Sequence, residues 1–142
     1  MRNAAEEILD RGCKLLQSFL SKHGFAFLPL ATGPSSGGPF ASAEFKRGDR
    51  RLELHFRDSL GMVTYHLGPR SVTHEEYMLS VLGNPYASRY PGFSDDPLDA
   101  FRGLSEDLME HCNEFLEGTD EAFLSRIEDA RARWANRPKL PD

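Results

Sequence analysis

Apolar residues recur at steps of three and four in four stretches of this chain and at steps of two in three others. The order of these patterns predicts the architecture. Between Ser94 and Gly118, residues Leu98, Phe101, Leu104, Leu108, Cys112, Phe115 and Leu116 form one continuous apolar stripe, which predicts a core helix of about six turns. Asp96 and Pro97 suit its first positions, Asp99 the place of a capping-box acid and Gly118 its end. Residues 3–23 read the same way, with Asn3 as N-cap, Glu6 three residues on, Ile8, Leu9, Leu15, Leu16, Phe19 and Leu20 as the stripe, and Gly24 as terminator. Thr73 is placed to cap a short helix over 74–82 that turns Tyr77, Met78, Val81 and Leu82 inward. Thr119 is placed to cap a last helix over 120–136, with Phe123, Ile127, Ala130 and Trp134 at helical spacing.

The alternating stretches predict strands. Residues 40–47 place Ala41, Ala43 and Phe45 on one face, 51–57 place Leu52, Leu54 and Phe56, and 62–67 place Val63, Tyr65 and Leu67. A shorter apolar run, 25–31, reads as a further strand, and Pro29 suits an edge. Gly48-Asp49 predicts a tight turn and residues 58–61 a four-residue loop, so consecutive strands are hairpins. In that register Phe45 faces Leu52, Leu54 faces Tyr65, Phe56 faces Val63, His66 pairs with Glu53 and His55 with Thr64. Glu44 opposite Glu53 and Lys46 opposite Arg51 are like-charge pairs that a diagonal Glu44–Arg51 contact softens. The loop 84–93 carries Tyr86, Tyr90 and Phe93 as aromatic anchors. The expected fold is α+β, in the order α-β-β-β-β-α-α-α: a four-stranded antiparallel meander with an N-terminal helix and three C-terminal helices packed on one face. The other face is expected to be polar.

A chain of 142 residues with 39% hydrophobic content suffices for one core, so a single domain over 1–137 with a frayed tail over 138–142 is expected. The net charge of −5 argues against nucleic acid, whose phosphates reward basic surfaces. The apolar runs fall short of the ~20 residues a bilayer needs, and the acidic N-terminal stretch lacks a signal-peptide core, so a cytoplasmic location is expected. Cys13 and Cys112 lie at helical apolar positions outside any CxxC spacing and read as buried reduced thiols. No cofactor is implied. An apolar edge near 25–31 leaves monomer and homodimer both open.

Charge is the least even feature. Between Ser94 and Glu121 stand ten acids against one base, Arg102, whereas Lys46–Arg57 is net positive. Glu106, Glu110 and Glu114 are successive i,i+4 like charges, and Glu114 and Glu117 sit toward the negative end of the predicted helix, each placement costing about 0.2–0.5 kcal/mol. Charge placed against the interest of the helix points to a basic partner protein held by Glu106, Glu110, Glu114 and Glu117 with the loop aromatics Tyr86 and Tyr90.

Catalytic motifs are weak. Gly33-Pro34-Ser35-Ser36-Gly37 spells a nucleophile pattern without the strand-to-helix turn that it needs, and Arg47-Gly48-Asp49 reads as a hairpin turn. His74-Glu75 opens a zinc-helix motif whose second histidine position is Met78. His55, His66 and Glu53 share the polar sheet face and are the candidate donors for an alternative function, a small ligand or metal held on that face. No catalytic residue is assigned.

Tyr90-Pro91-Gly92-Phe93-Ser94-Asp95-Asp96-Pro97-Leu98 with Phe101, Leu104, Asp107 and Leu108, together with Leu52–Arg57 and His74–Tyr77, resembles small bacterial domains of unknown function, some of them regarded as immunity proteins of contact-dependent or polymorphic toxin systems. The resemblance spans roughly residues 50–117 and implies a binding protein without catalytic residues.

Overall fold

The structure is a computed structural model, which describes residues 3–33, 39–57, 59–84, 88, 90 and 95–137. Helix α1 (Ala4–Leu20) begins where the Asn3 side chain accepts the Glu6 N–H at 2.7 Å, and it runs through a 3₁₀ turn at Ser21–His23 into Gly24. Gly24 has φ 85°, a left-handed conformation that favours glycine. Five strands follow: β1 (Ala26–Gly33), β2 (Phe40–Arg47), β3 (Arg50–Phe56), β4 (Leu60–Leu67) and β5 (Arg70–Thr73). They form one antiparallel sheet in chain order. Helix α2 (His74–Leu82) comes next, then α3 (Asp99–His111), α4 (Asn113–Leu116) and α5 (Asp120–Ala135).

Two corrections to the expected order follow. The sheet has a fifth strand, β5, because a turn at Gly68 (φ 56°) folds residues 70–73 back on β4. Four residues are too few for alternation to be read, and Thr73 both ends the strand and closes a reciprocal capping box with Glu76. The long helix predicted over 94–118 is two helices, making four C-terminal helices where three were expected. Cys112, at φ −108° and ψ 35°, leaves the helical region and separates α3 from α4. The apolar stripe ran across the break unbroken because Leu108, Cys112, Phe115 and Leu116 are buried on both sides of it.

The register of β2 on β3 is the expected one, with Phe45 opposite Leu52 and Glu44 opposite Glu53. The diagonal contact also forms, Arg51 donating to Glu44 at 2.8 Å. Between β3 and β4 the expected register is off by two: Leu52 faces Tyr65, Leu54 faces Val63, Arg51 faces His66, Glu53 faces Thr64 and His55 faces Met62. Strand β4 starts two residues earlier than its alternation suggests, and Gly61 forms a bulge opposite the His55–Phe56 step. A shift of two keeps every side chain on its face, so the core set survived the error.

That core joins the sheet to the helices through aromatic contacts. Phe56 stacks on Phe101 of α3, and Tyr65 meets Tyr77 of α2 and Phe115 of α4 edge-on at centroid distances of 5.0 Å. Where α1 crosses α3, Gly12 lies against the Phe101 ring, and a β-carbon there would stand 2.4 Å from ring carbons. On the edge strand β1, Pro29 precedes a bulge in which Leu30 and Ala31 oppose Ser42, whose hydroxyl accepts the Ala31 N–H at 3.2 Å. No helix among the described residues is long and apolar enough to cross a membrane.

Gly12→Ala forces Phe101 out of its place and is expected to lower stability by about 1–3 kcal/mol. Thermal unfolding followed by circular dichroism measures this, and an unchanged midpoint would show that the crossing is looser than described.

Candidate functional site

The expected acidic surface divides into carboxylates that tie elements of the fold together and carboxylates exposed on the outer face of α3. Strand β3 opens with Arg50, only 6% exposed, whose guanidinium donates to the carbonyls of Glu114 (3.1 Å), Phe115 (2.8 Å) and Gly118 (2.5 Å) and to the Asp120 carboxylate (3.0 Å). Arg47, across the two-residue turn on β2, donates to the carbonyls of His23 (2.5 Å) and Leu116 (2.9 Å) and lies over the Phe25 ring. The basic hairpin thus closes the C-terminal end of α4, where orphan carbonyls carry the negative end of the helix dipole. Glu114 receives two nitrogens of Arg126, at 2.8 and 2.9 Å, and the Tyr77 hydroxyl at 3.2 Å. Glu117 pairs with His23. Asp96 and Asp99 hold Arg102, and the Leu98 N–H, followed by Arg102, holds the Asp96 carboxyl below the usual carboxylate range. Opposite charge that looked segregated along the sequence is therefore paired within the chain, partly at its surface, and α4 does not suffer the penalty its sequence suggests.

Glu106 and Glu110 are exposed on the outer face of α3, and between them Met109 is 56% exposed. Glu110 lies 3.5 Å from His111 at the surface. Tyr90 is turned inward, 8% exposed, with its hydroxyl donating to the carbonyls of Leu60 (2.5 Å) and Gly61 (2.7 Å). Tyr86 and Phe93 lie outside the described residues, as does the Pro34–Gly38 part of the serine pattern.

The residues that sequence reasoning missed as a group are His74 and Asp107. Both are fully buried, and His74 Nε2 lies 2.8 Å from the Asp107 carboxylate. On its other side His74 Nδ1 lies 2.7 Å from the Tyr65 hydroxyl, which stands 3.6 Å from the Cys112 sulfur. Asp107 also accepts the backbone N–H of Tyr90 at 3.1 Å. A neutral imidazole protonated on Nε2 satisfies every member: Cys112 donates to Tyr65, Tyr65 to His74, and His74 with Tyr90 to Asp107. Burial pushes the Tyr65 hydroxyl well above its ordinary range, so it stays a donor. The readable sign was Asp107 itself, a carboxylate three residues after Leu104 and one before Leu108 on an otherwise apolar helix face.

Two cavities border these elements. One, of about 410 Å³, opens between the start of β4, the first turn of α2, Tyr90 and Trp134 of α5. The other, of about 250 Å³, lies between α1 and β1–β2. On the polar sheet face, His66 Nε2 is 2.8 Å from Glu53, and His55 stacks flat on Phe40 at 5.5 Å, opposite Met62. The three candidate metal donors do not converge, and among the described residues no three His, Cys, Asp or Glu side chains come together to hold a metal ion.

Comparison with protein-family models, with curated proteins and with solved structures finds no match to this chain.

Two outcomes check this arrangement. Asp107→Ala strands the His74 and Tyr90 donors in the core and is expected to cost about 3–5 kcal/mol, against about 0.5 kcal/mol or less for Glu110→Gln on the same helix; urea unfolding of the two variants measures the contrast. Both cysteines are buried, and burial raises the Cys13 thiol to about 12 and the Cys112 thiol further. Both thiols are therefore protonated at pH 8, and Ellman's reagent is expected to label neither until the chain unfolds. Labelling of the folded protein within minutes would contradict the packing around them.

Proposed function

We propose that this chain is a non-catalytic protein-binding module whose contact surface is the outer face of α3, centred on Met109 between Glu106 and Glu110. The observation that carries the reading is the exposure of Met109 in that position. A large flexible apolar side chain rimmed by carboxylates matches the anatomy of a protein interface, with an apolar centre and a charged rim. Carboxylates at the rim favour a basic partner and speed its approach. Glu114 and Glu117, placed in the same strip by sequence, act inside this proposal as supports, because they hold residues distant in sequence, Arg126 of α5 and His23 at the end of α1.

The absence of turnover from the proposal has a chemical basis. A general base needs a free lone pair within reach of substrate, and both ring nitrogens of buried His74 are engaged. The alternative, a small ligand or metal on the polar sheet face, has no converging donor set behind it among the described residues. Residues 50–117 resemble small bacterial domains of unknown function, some of them regarded as immunity proteins, and on this proposal a basic toxin is the class of partner to try first. Two buried, protonated thiols fit a reducing compartment, and the proposal places the module in the cytoplasm.

The test is affinity capture at low salt with the tagged chain and with the triple variant Glu106→Lys, Met109→Ala, Glu110→Lys, whose fold is checked by circular dichroism. A basic protein enriched by the parent chain, released as salt rises and recovered about tenfold less by the variant is the expected result. Equal recovery by both, or enrichment of acidic proteins alone, would overturn the assignment.

A further inference from the structure

The cavity between β4, α2 and α5 has a polarity of its own. Its strong side-chain donors are spent: both nitrogens of His74 are engaged, and the Tyr90 hydroxyl donates to two backbone carbonyls. Thr73 and Glu76 are occupied with one another's backbone in the capping box. Glu75 remains, exposed on the lining, with no hydrogen bond or ion pair to another described residue. Its negative field reaches the Tyr90 phenol, whose ionisation is pushed up first by burial and then by Glu75. Among the described residues no arginine or lysine lines the cavity, and the described lining also includes Met62, Val63, the Tyr90 ring and Trp134.

A site with an unengaged carboxylate, aromatic faces and an apolar wall repels anions and suits a cation on an alkyl stem. The chain itself shows the kind of contact involved, since the Arg137 guanidinium lies 3.9 Å from the centre of the Trp134 ring. A guanidinium takes both an aromatic face and a carboxylate, whereas an ammonium is more strongly hydrated and stacks less well. The volume, about 410 Å³, exceeds that of one arginine side chain and leaves space for the residues that flank it.

We propose that this cavity binds an arginine side chain carried by a protein partner, with the guanidinium on Glu75 and the aromatic rings and the stem against Met62 and Val63. The site is separate from the α3 face, and neither proposal depends on the other.

Amide NMR titration of the intact chain tests it, with three probes: N-acetyl-arginine amide, a hexapeptide with one central arginine, and the same peptide with neutral citrulline in its place. Saturable shifts of the Trp134 indole and of the Gly61 and Glu75 amides are expected, with the arginine peptide about tenfold tighter than the amide and the citrulline peptide about tenfold or more weaker. Glu75→Gln, whose spectrum reports an intact fold, is expected to weaken the arginine peptide by about tenfold, while the triple α3 variant leaves it unchanged. Absence of saturable shifts at the cavity, equal binding of the citrulline peptide, or full affinity in Glu75→Gln would overturn the site. An amide that binds as tightly as the peptide would overturn the assignment of the arginine to a protein.

Discussion

The structure depends on one buried chain of hydrogen bonds, Cys112–Tyr65–His74–Asp107–Tyr90. Its members come from β4, the first turn of α2, the middle of α3, the α3–α4 junction and the loop before α3. Each brings a polar group into a core otherwise made of aliphatic and aromatic side chains. A polar group in such surroundings is tolerated only when its donors and acceptors are all matched, and here they match in one arrangement of the five elements. Apolar packing would permit α2 and α3 to slide relative to the sheet at modest cost; the hydrogen-bonded chain does not.

A second constraint acts at the other end of the molecule. The β2–β3 hairpin brings Arg47 and Arg50 under the last turn of α4, where they satisfy carbonyls that a helix end leaves without partners. Arg50 is nearly as buried as the core and also lies over the Phe123 ring of α5, so one guanidinium ties β3, α4 and α5 together. The acidity of residues 94–121 is in large part the counterpart of these internal cations and of Arg102 and Arg126. Most of the charge that drew attention in the sequence is structural, and Glu106 and Glu110 on the outer face of α3 are the part of the strip that flanks an exposed apolar side chain, Met109.

Polar chemistry in this fold is thus directed mainly inward. His74, Asp107, Tyr65 and Glu114, the side chains best equipped for proton transfer or electrostatic catalysis, are engaged with one another or with the chain's own arginines. The surface retains features suited to recognition: Met109 between carboxylates, and a cavity whose walls are aromatic and whose exposed carboxylate is unengaged.

The sequence by itself determined the elements whose signals are local. Asn3, Thr73 and Thr119 cap the helices they were expected to cap, Gly24 and Gly83 end helices in left-handed conformations, and the β2–β3 register follows from alternation with a two-residue turn. Period-two patterning also chose the buried faces of β2, β3 and β4, which is why a register error of two residues between β3 and β4 left the core unchanged. Tertiary structure decided what depends on partners distant in sequence: the break at Cys112, the pairing of β5, the burial of Asp107 against a histidine 33 residues earlier, and the neutralisation of Glu114 by Arg126. Periodicity reports which side of an element faces inward but not which residue it meets there, and a charge becomes structural or free only when the fold brings its counter-charge within reach.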